Sequence, residues 1–129
     1  MHGAHVPHDA ILHDGVTLAP NVVVGGISQL LTCCNIGMGA SIHQNSIIGH
    51  YSIVATNAAV IKNVKPFSRY IPGKSISVNT YAIHKYGFEK FESEIEAYVL
   101  ENVFPESTKL VAIINQFETL HLASKRGLY

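Results

Sequence analysis

Aliphatic residues recur at every sixth position through the first half of the chain. When hexads are counted from His5, the second position is aliphatic ten times in succession, and the sixth position is always small or valine. The aliphatic second positions are Val6, Leu12, Leu18, Val24, Leu30, Ile36, Ile42, Ile48, Val54 and Val60. An α-helix has a period of about 3.6 residues and cannot produce this pattern. The pattern instead predicts short β-strands separated by tight corners.

Three hexads complete one turn of a prism with three flat faces. The aliphatic side chains then fill its axis, and residues about 18 apart in sequence become vertical neighbours. Successive turns stack as parallel strands about 4.8 Å apart. We therefore predict an all-β solenoid, a left-handed parallel β-helix of just over three turns, over residues 1–65. Its N-terminal edge would present unpaired backbone groups, so another subunit or further turns of a longer protein would have to cover it.

The six-residue repeat stops at Pro66. A basic loop is predicted over residues 66–77 and a helical region over residues 78–129, because two stripes of apolar residues follow at helical spacing. The stripes are Phe91, Ile95, Tyr98 and Val99, and then Leu110, Ile113, Ile114, Phe117 and Leu120. Ser107 is expected to cap the start of the last helix. The fold class is thus a β-solenoid with a C-terminal α-helical tail that packs against the prism or another subunit.

Charge is distributed unevenly along a chain whose net charge is zero. All nine lysines and arginines lie at or after Lys62, and the first half contains only two acidic residues, Asp9 and Asp14. Titrating chemistry in that half must therefore come from its histidines. The adjacent Cys33 and Cys34 are poorly placed for a mutual disulfide. Neither a membrane-spanning stretch nor a signal peptide is recognisable, so we expect a cytoplasmic protein with no membrane span.

Four basic residues and no acidic residue occupy positions 62 to 74. They are Lys62, Lys65, Arg69 and Lys74. This positive segment is either a solubilising turn or an anchor for a phosphate-bearing donor or an acidic carrier surface. It is too short and too poor in interleaved aromatic residues to indicate nucleic-acid binding.

The stacking rule groups two histidines, an amide and a pair of glycines on one patch. One column is His8, Gly26 and Gln44, and the column beside it is Pro7, Gly25 and His43. A glycine leaves its backbone N–H reachable, so that it could donate to a developing oxyanion. His8 is followed by Asp9, which could orient the imidazole ring or favour its charged form. The patch therefore contains a candidate general base and a candidate oxyanion donor about one strand spacing apart.

Three other interpretations of these residue types are open. His8 could be an ordinary surface histidine without a catalytic role. His5 and His8 could bind a metal, but no cysteine or carboxylate cluster completes a tetrahedral set, so no metal is predicted. Cysteine catalysis is not predicted either, because Cys34 falls at an inward corner and Cys33 has no evident base.

Several segments resemble the acyl-carrier-protein-dependent UDP-N-acetylglucosamine O-acyltransferases that begin lipid A synthesis. His5–Asp9 (HVPHD) resembles the catalytic HIAHD segment of that family, and Ile42–Gly49 (IHQNSIIG) resembles its VHQxxIIG segment. Towards the C-terminus, Val78–Asn79, Lys85–Phe88 (KYGF) and Ser124–Leu128 (SKRGL) resemble VN, RRGF and STRGL. The resemblance covers nearly the whole chain.

The resemblance implies a role for each matching residue. It implies that His8 is the catalytic base, Asp9 its acidic companion and Gly26 the oxyanion-hole glycine. The residues implied to bind substrate are His5, His43, Gln44 and Lys85. The basic residues expected to bind the donor or its carrier are Lys62, Lys65, Arg69 and Lys74. Ile27 stands where the family has a second sugar-contacting histidine, and Tyr86 replaces an arginine.

The implied reaction is direct transfer of an acyl group to a hydroxyl or amine of a nucleotide-sugar. The donor is the phosphopantetheine thioester of acyl carrier protein, or acyl-coenzyme A, and no bound cofactor is expected. The resemblance also implies a homotrimer, and outward aliphatic residues support a subunit interface. They are Ile11, Val23, Ile47 and Ile53. The alternatives are a non-catalytic trimeric scaffold derived from such an enzyme and a coenzyme A-dependent sugar O-acetyltransferase.

Overall fold

The structure, a computed structural model, describes residues 2–129 and confirms the predicted β-solenoid with an α-helical tail. Two-residue strands follow one another every six residues. They are β1 (Ile11–Leu12), β2 (Thr17–Leu18), β3 (Val23–Val24), β4 (Gln29–Leu30), β5 (Asn35–Ile36), β6 (Ser41–Ile42), β7 (Ile47–Ile48), β8 (Ile53–Val54) and β9 (Ala59–Val60). Strand β10 (Ser68–Tyr70) lies within the predicted loop of residues 66–77 and continues the solenoid beside β8, and β11 (Ser77–Val78) runs antiparallel to β10.

The strands form three sheets, one on each face of the prism. The first contains β1, β4 and β7, the second contains β2, β5, β8, β10 and β11, and the third contains β3, β6 and β9. Leu12 pairs with Leu30, and Leu30 pairs in turn with Ile48. The register therefore advances by three hexads per turn, which confirms the predicted stacking of the chain.

At most corners a left-handed backbone conformation at the fifth position of the hexad turns the chain. The fifth positions from Gly15 to Asn57 all have φ between 58° and 74°. Glycine and asparagine adopt this conformation readily, whereas other residues do so at a cost of about 1–2 kcal/mol. Ile27, Cys33 and Tyr51 adopt it all the same, because the paired strands on both sides fix the path of the chain.

The aliphatic second positions of the hexads line the axis of the prism. From Val24 to Val60 each of these side chains is at most 2% exposed. Leu12, in the first turn, is still 40% exposed. At the other end Tyr70 packs into the axial core, and the Tyr129 ring stacks on it with centroids 4.0 Å apart. The tail therefore closes the C-terminal end of the axis.

The tail contains α1 (Thr80–Lys85), a 3-10 turn (Glu89–Phe91), α2 (Glu92–Glu101) and α3 (Thr108–Ser124). Ser107 lies at the cap position of α3, but its amide and hydroxyl donate to the Glu94 carboxylate and not to the first turn of α3. The predicted side-chain cap is therefore wrong, and Ser107 instead joins α3 to α2. Within residues 2–129 no helix is long and apolar enough to cross a bilayer.

Helix α3 packs on the face formed by β1, β4 and β7. Phe117 is fully buried against Leu31 and Ile47, so Ile47 is only 3% exposed. The expectation that Ile47 contributes to a subunit interface is therefore wrong, because the tail of the same chain covers it. The buried Asn63 side chain adds polar contacts, since it donates to His121 Nδ1 and Ser124 Oγ at 2.8 Å each.

His50 is also buried between the solenoid and α3. Its Nε2 lies 2.7 Å from Gln116 Oε1, whereas its Nδ1 has no hydrogen-bond partner among residues 2–129. Burial lowers the pKa of His50 below its ordinary value. The hydrogen bond with Gln116 raises the pKa by a smaller amount, and the nearby His13 lowers it.

The free energy of unfolding is therefore expected to decrease as the pH falls below 6.5, the ordinary pKa of histidine. Folded His50 resists protonation, so the unfolded state binds more protons below that pH, and stability present above it is lost. Urea unfolding between about pH 5 and about pH 8 measures this dependence. The His50→Gln variant cannot titrate at this position and should show a flatter dependence. An unchanged slope in this variant would contradict the assignment to His50.

Candidate active site

The predicted columns lie at the corner that follows β3 and β6. His5 forms a parallel bridge with Val23, and Val23 pairs with Ser41, so three successive turns are in register at this corner. Asn45 N donates to Gly26 O at 2.8 Å, so Gly26 and Gln44 lie in one column, and His8 belongs to the preceding turn, 18 residues before Gly26. The column beside it contains Pro7, Gly25 and His43.

A groove of about 480 Å³ runs along this face. Its lining includes Gly25, Gly26, His43, Gln44 and Ile61. A Cβ atom at Gly25 would lie 2.4 Å from the backbone nitrogen of Gln44. Glycine is therefore required where the two turns approach most closely, and the groove is walled by backbone as well as by side chains.

Gly26 lies beside the carboxylate of Asp9. A Cβ atom at Gly26 would be 3.3 Å from each Asp9 carboxylate oxygen. The Gly26 carbonyl accepts a hydrogen bond from Asn45 N at 2.8 Å, but the Gly26 N–H has no acceptor among residues 2–129. This N–H is therefore available to a ligand. Asp9 forms no hydrogen bond with His8, and His8 itself is exposed.

The corner at His8 and Asp9 differs from the others. The amide of a fifth-position residue normally donates to the fourth position of the preceding turn, as Cys33 N does to Asp14 O at 2.9 Å. Asp9 does not have the positive φ of the later corners, and the equivalent bond from Ile27 N to His8 O is missing. Gly26 and Ile27 thus provide two consecutive amides that have no acceptor in the described part of the chain.

His43 contacts a residue that the sequence analysis did not single out. Arg126, beyond the end of α3, donates through Nη2 to His43 Nδ1 and through Nε to Gln44 O at 2.7 Å. In the sequence, Arg126 stands out only through the match of Ser124–Leu128 to STRGL. That match indicates similarity to a family and does not predict the contact with His43. The tail therefore reaches into the groove.

Lys85 lies elsewhere on the molecule, at the end of α1. Its Nζ is 5.7 Å from the ring centroid of Tyr81 and 5.3 Å from that of Tyr86. Lys85 lines a small cavity of about 50 Å³ with both tyrosines, on the face that contains β2 and β5. Within a single chain it does not share the groove of His43.

Lys65 differs from the other three basic residues assigned to the donor. It is only 4% exposed, and its Nζ donates to Tyr98 O at 3.1 Å, to Val99 O at 3.3 Å and to Asn102 Oδ1. Burial lowers the pKa of Lys65, which the Glu118 carboxylate partly opposes. Lys65 therefore holds the C-terminal end of α2 and has no donor left for a carrier. Lys62, Arg69 and Lys74 are exposed.

Comparison with known proteins gives similarity to acyltransferases. No family model matches the chain. An acyl-(acyl-carrier-protein)–UDP-N-acetylglucosamine O-acyltransferase from Herminiimonas arsenicoxydans is 29% identical over 86 residues, which are 65% of this chain and 33% of that protein. A protein of the same name from Janthinobacterium sp. (strain Marseille) is 28% identical over 86 residues, with the same shares. The chain resembles these acyltransferases. This confirms the resemblance found in the motifs, although the chain spans about a third of the length of these curated relatives.

Ile27 is a strained residue beside this groove. Its φ is 64° and its side chain is 62% exposed, so little burial compensates for the left-handed conformation. Ile27→Asn is expected to raise the free energy of unfolding by about 1 kcal/mol, because asparagine adopts this conformation more readily. Urea unfolding is the measurement, and Ile27→Val, which stays β-branched, is the matched control. A less stable Ile27→Asn variant would contradict the prediction.

Proposed function

We propose that this chain is an O-acyltransferase that acts by direct transfer. The donor is the phosphopantetheine thioester of acyl carrier protein, and the acceptor is a hydroxyl or amine of a nucleotide-sugar such as UDP-N-acetylglucosamine, as in lipid A synthesis. The observation that carries this proposal is the groove lined by Gly26, His43 and Gln44, which lies in the turns that follow the one containing His8. The names of the two similar proteins support the same reaction.

In the proposed mechanism His8 is the general base. It takes the proton of the acceptor hydroxyl as the hydroxyl oxygen attacks the thioester carbonyl. The carbonyl oxygen becomes an oxyanion, which accepts a hydrogen bond from the unpaired Gly26 N–H. Collapse of the tetrahedral intermediate breaks the carbon–sulfur bond, and the protonated His8 returns the proton to the leaving thiolate. Asp9 stabilises the imidazolium when the ring turns towards its carboxylate.

The exposed basic residues are proposed to hold the donor. Lys62, Arg69 and Lys74 give the positive segment, residues 62–74, an exposed basic surface without an acidic residue in that part of the sequence. Such a surface suits the phosphate of phosphopantetheine and the acidic surface of a carrier protein. Acyl-coenzyme A offers the same phosphate chemistry and is the alternative donor.

A homotrimer is proposed to complete the site. Aliphatic side chains that face outward in the single chain include Ile11 at 50%, Val23 at 46% and Ile61 at 56% exposure. Ile61 lines the groove, so a neighbouring subunit that covered Ile61 would also form one side of the substrate-binding site. Light scattering tests the assembly, and a monomeric mass would contradict it.

The reaction is tested by following thiol release from acyl-carrier-protein thioesters of graded chain length with UDP-N-acetylglucosamine. Release is expected to require the acceptor and to yield an acylated nucleotide-sugar detectable by mass spectrometry. Release without acceptor would indicate hydrolysis, which contradicts direct transfer. A parallel series with acyl-coenzyme A separates the two donors. A folded trimer that consumes no thioester of either kind would favour the non-catalytic scaffold.

A further inference from the structure

The position of Arg126 is fixed from both sides. Helix α3 ends at Ser124, and Lys125 turns the chain with φ of 59°. Beyond Arg126, Asn63 N donates to Gly127 O at 2.8 Å, and Tyr129 N donates to Asn63 O at 3.1 Å. The tail therefore pairs with the last turn of the solenoid, and Arg126 cannot move far from the groove.

The guanidinium of Arg126 contacts two successive turns. Its Nη1 donates to Ile61 O at 2.9 Å, its Nε donates to Gln44 O at 2.7 Å, and its Nη2 contacts His43 Nδ1. A planar guanidinium presents its N–H groups in a rigid fork, so these contacts set its orientation. Arg126 thus links two turns of the solenoid at the groove and also contacts the His43 ring.

This contact determines which nitrogen of His43 carries the proton. A guanidinium has only donors and stays charged, so Nδ1 must accept with a lone pair. The proton of neutral His43 is then on Nε2. Nε2 has no partner among residues 2–129, and His43 lines the groove. His43 is therefore a hydrogen-bond donor to a ligand oxygen.

We propose that Arg126 is a positioning residue that holds His43 in the Nε2–H tautomer, so that His43 donates to an oxygen of the acceptor. This inference rests on the proposed acyl transfer. The two histidines then have different roles: His8 accepts a proton from the acceptor, and His43 donates a hydrogen bond to it. Without Arg126 both tautomers of His43 become accessible, and the donor is lost in part of the molecules.

The test is long-range ¹H–¹⁵N NMR of the imidazole of His43, recorded at about pH 8 so that the ring is neutral. Wild-type protein is expected to show the Nε2–H tautomer, and Arg126→Gln a mixture of both tautomers. Lys125→Asn, which removes the adjacent charge and suits a left-handed residue, is the matched control and should keep the Nε2–H tautomer. A wild-type spectrum of the Nδ1–H tautomer overturns the inference whether or not any variant folds. An unchanged tautomer in folded Arg126→Gln also overturns it.

Steady-state kinetics gives a second readout. Arg126→Gln weakens one neutral hydrogen bond to the acceptor, so KM for the acceptor is expected to rise by about 3- to 10-fold. Arg126→Lys should reverse part of this rise. If the wild-type protein transfers no acyl group, the proposed function fails, whereas the NMR spectra still decide the role of Arg126.

Discussion

His8→Ala is expected to lower kcat/KM for acyl transfer by about 10²- to 10⁴-fold, the usual effect of removing a positioned general base. An acceptor hydroxyl is a weak nucleophile until its proton is taken, and the first half of the chain offers imidazole as its main titrating group. The groove lined by Gly26 and His43 remains in the variant. The loss should therefore appear mainly in kcat, measured by thiol release from the donor at saturating acceptor.

The stability of the variant separates catalysis from folding. His8 is exposed, so His8→Ala should change the free energy of unfolding by less than about 0.5 kcal/mol. His13→Ala is the matched control, because His13 lies on another face and its Nε2 is 3.2 Å from Gln29 Oε1. This control should keep its activity. A loss below about tenfold in His8→Ala would contradict the assignment of the base.

Lys65→Met is expected to reduce the free energy of unfolding by about 2–4 kcal/mol. The substitution removes a buried charged donor from three acceptors at the end of α2. These are the carbonyl oxygens of Tyr98 and Val99 and the amide oxygen of Asn102. The positive charge near the C-terminal end of the helix also stabilises the helix dipole. Urea unfolding measures the change, and the melting temperature should fall by roughly 3–5 °C for each kcal/mol at this chain length.

Lys62→Met is the matched control for this prediction. Lys62 is exposed, so its replacement should leave stability unchanged within about 0.5 kcal/mol while raising KM for a carrier-bound donor. Equal stability of the two variants would contradict the structural role of Lys65. The pair therefore separates a lysine that holds a helix from a lysine proposed to bind the donor.

The sequence predicted the solenoid well because its signal is local and repeated. Each hexad encodes one strand and one corner, and the register that joins Leu12 to Leu30 follows from a constant period. The same constant period predicted that His8 would stack with Gly26. The docking of the helices was less predictable, because an apolar stripe specifies a buried face but not the surface that buries it.

Individual side chains illustrate this limit. Lys65 sits in a basic run like its neighbours, yet only the position of α2 shows that its amine is buried. Ile47 was expected at a subunit interface, and Phe117 covers it instead. The hydroxyl of Ser107 was expected at the helix start, but the Glu94 carboxylate of the neighbouring helix takes it.

By itself, the sequence determined the repeating fold, the helical tail and the column of candidate catalytic residues, because each depends on spacing along the chain. Only the tertiary structure decided which groups of that column are free to act. It left the Gly26 and Ile27 amides without acceptors among residues 2–129 and brought Arg126 to His43. Contacts between residues far apart in sequence depend on how the tail folds back, and no local period encodes that.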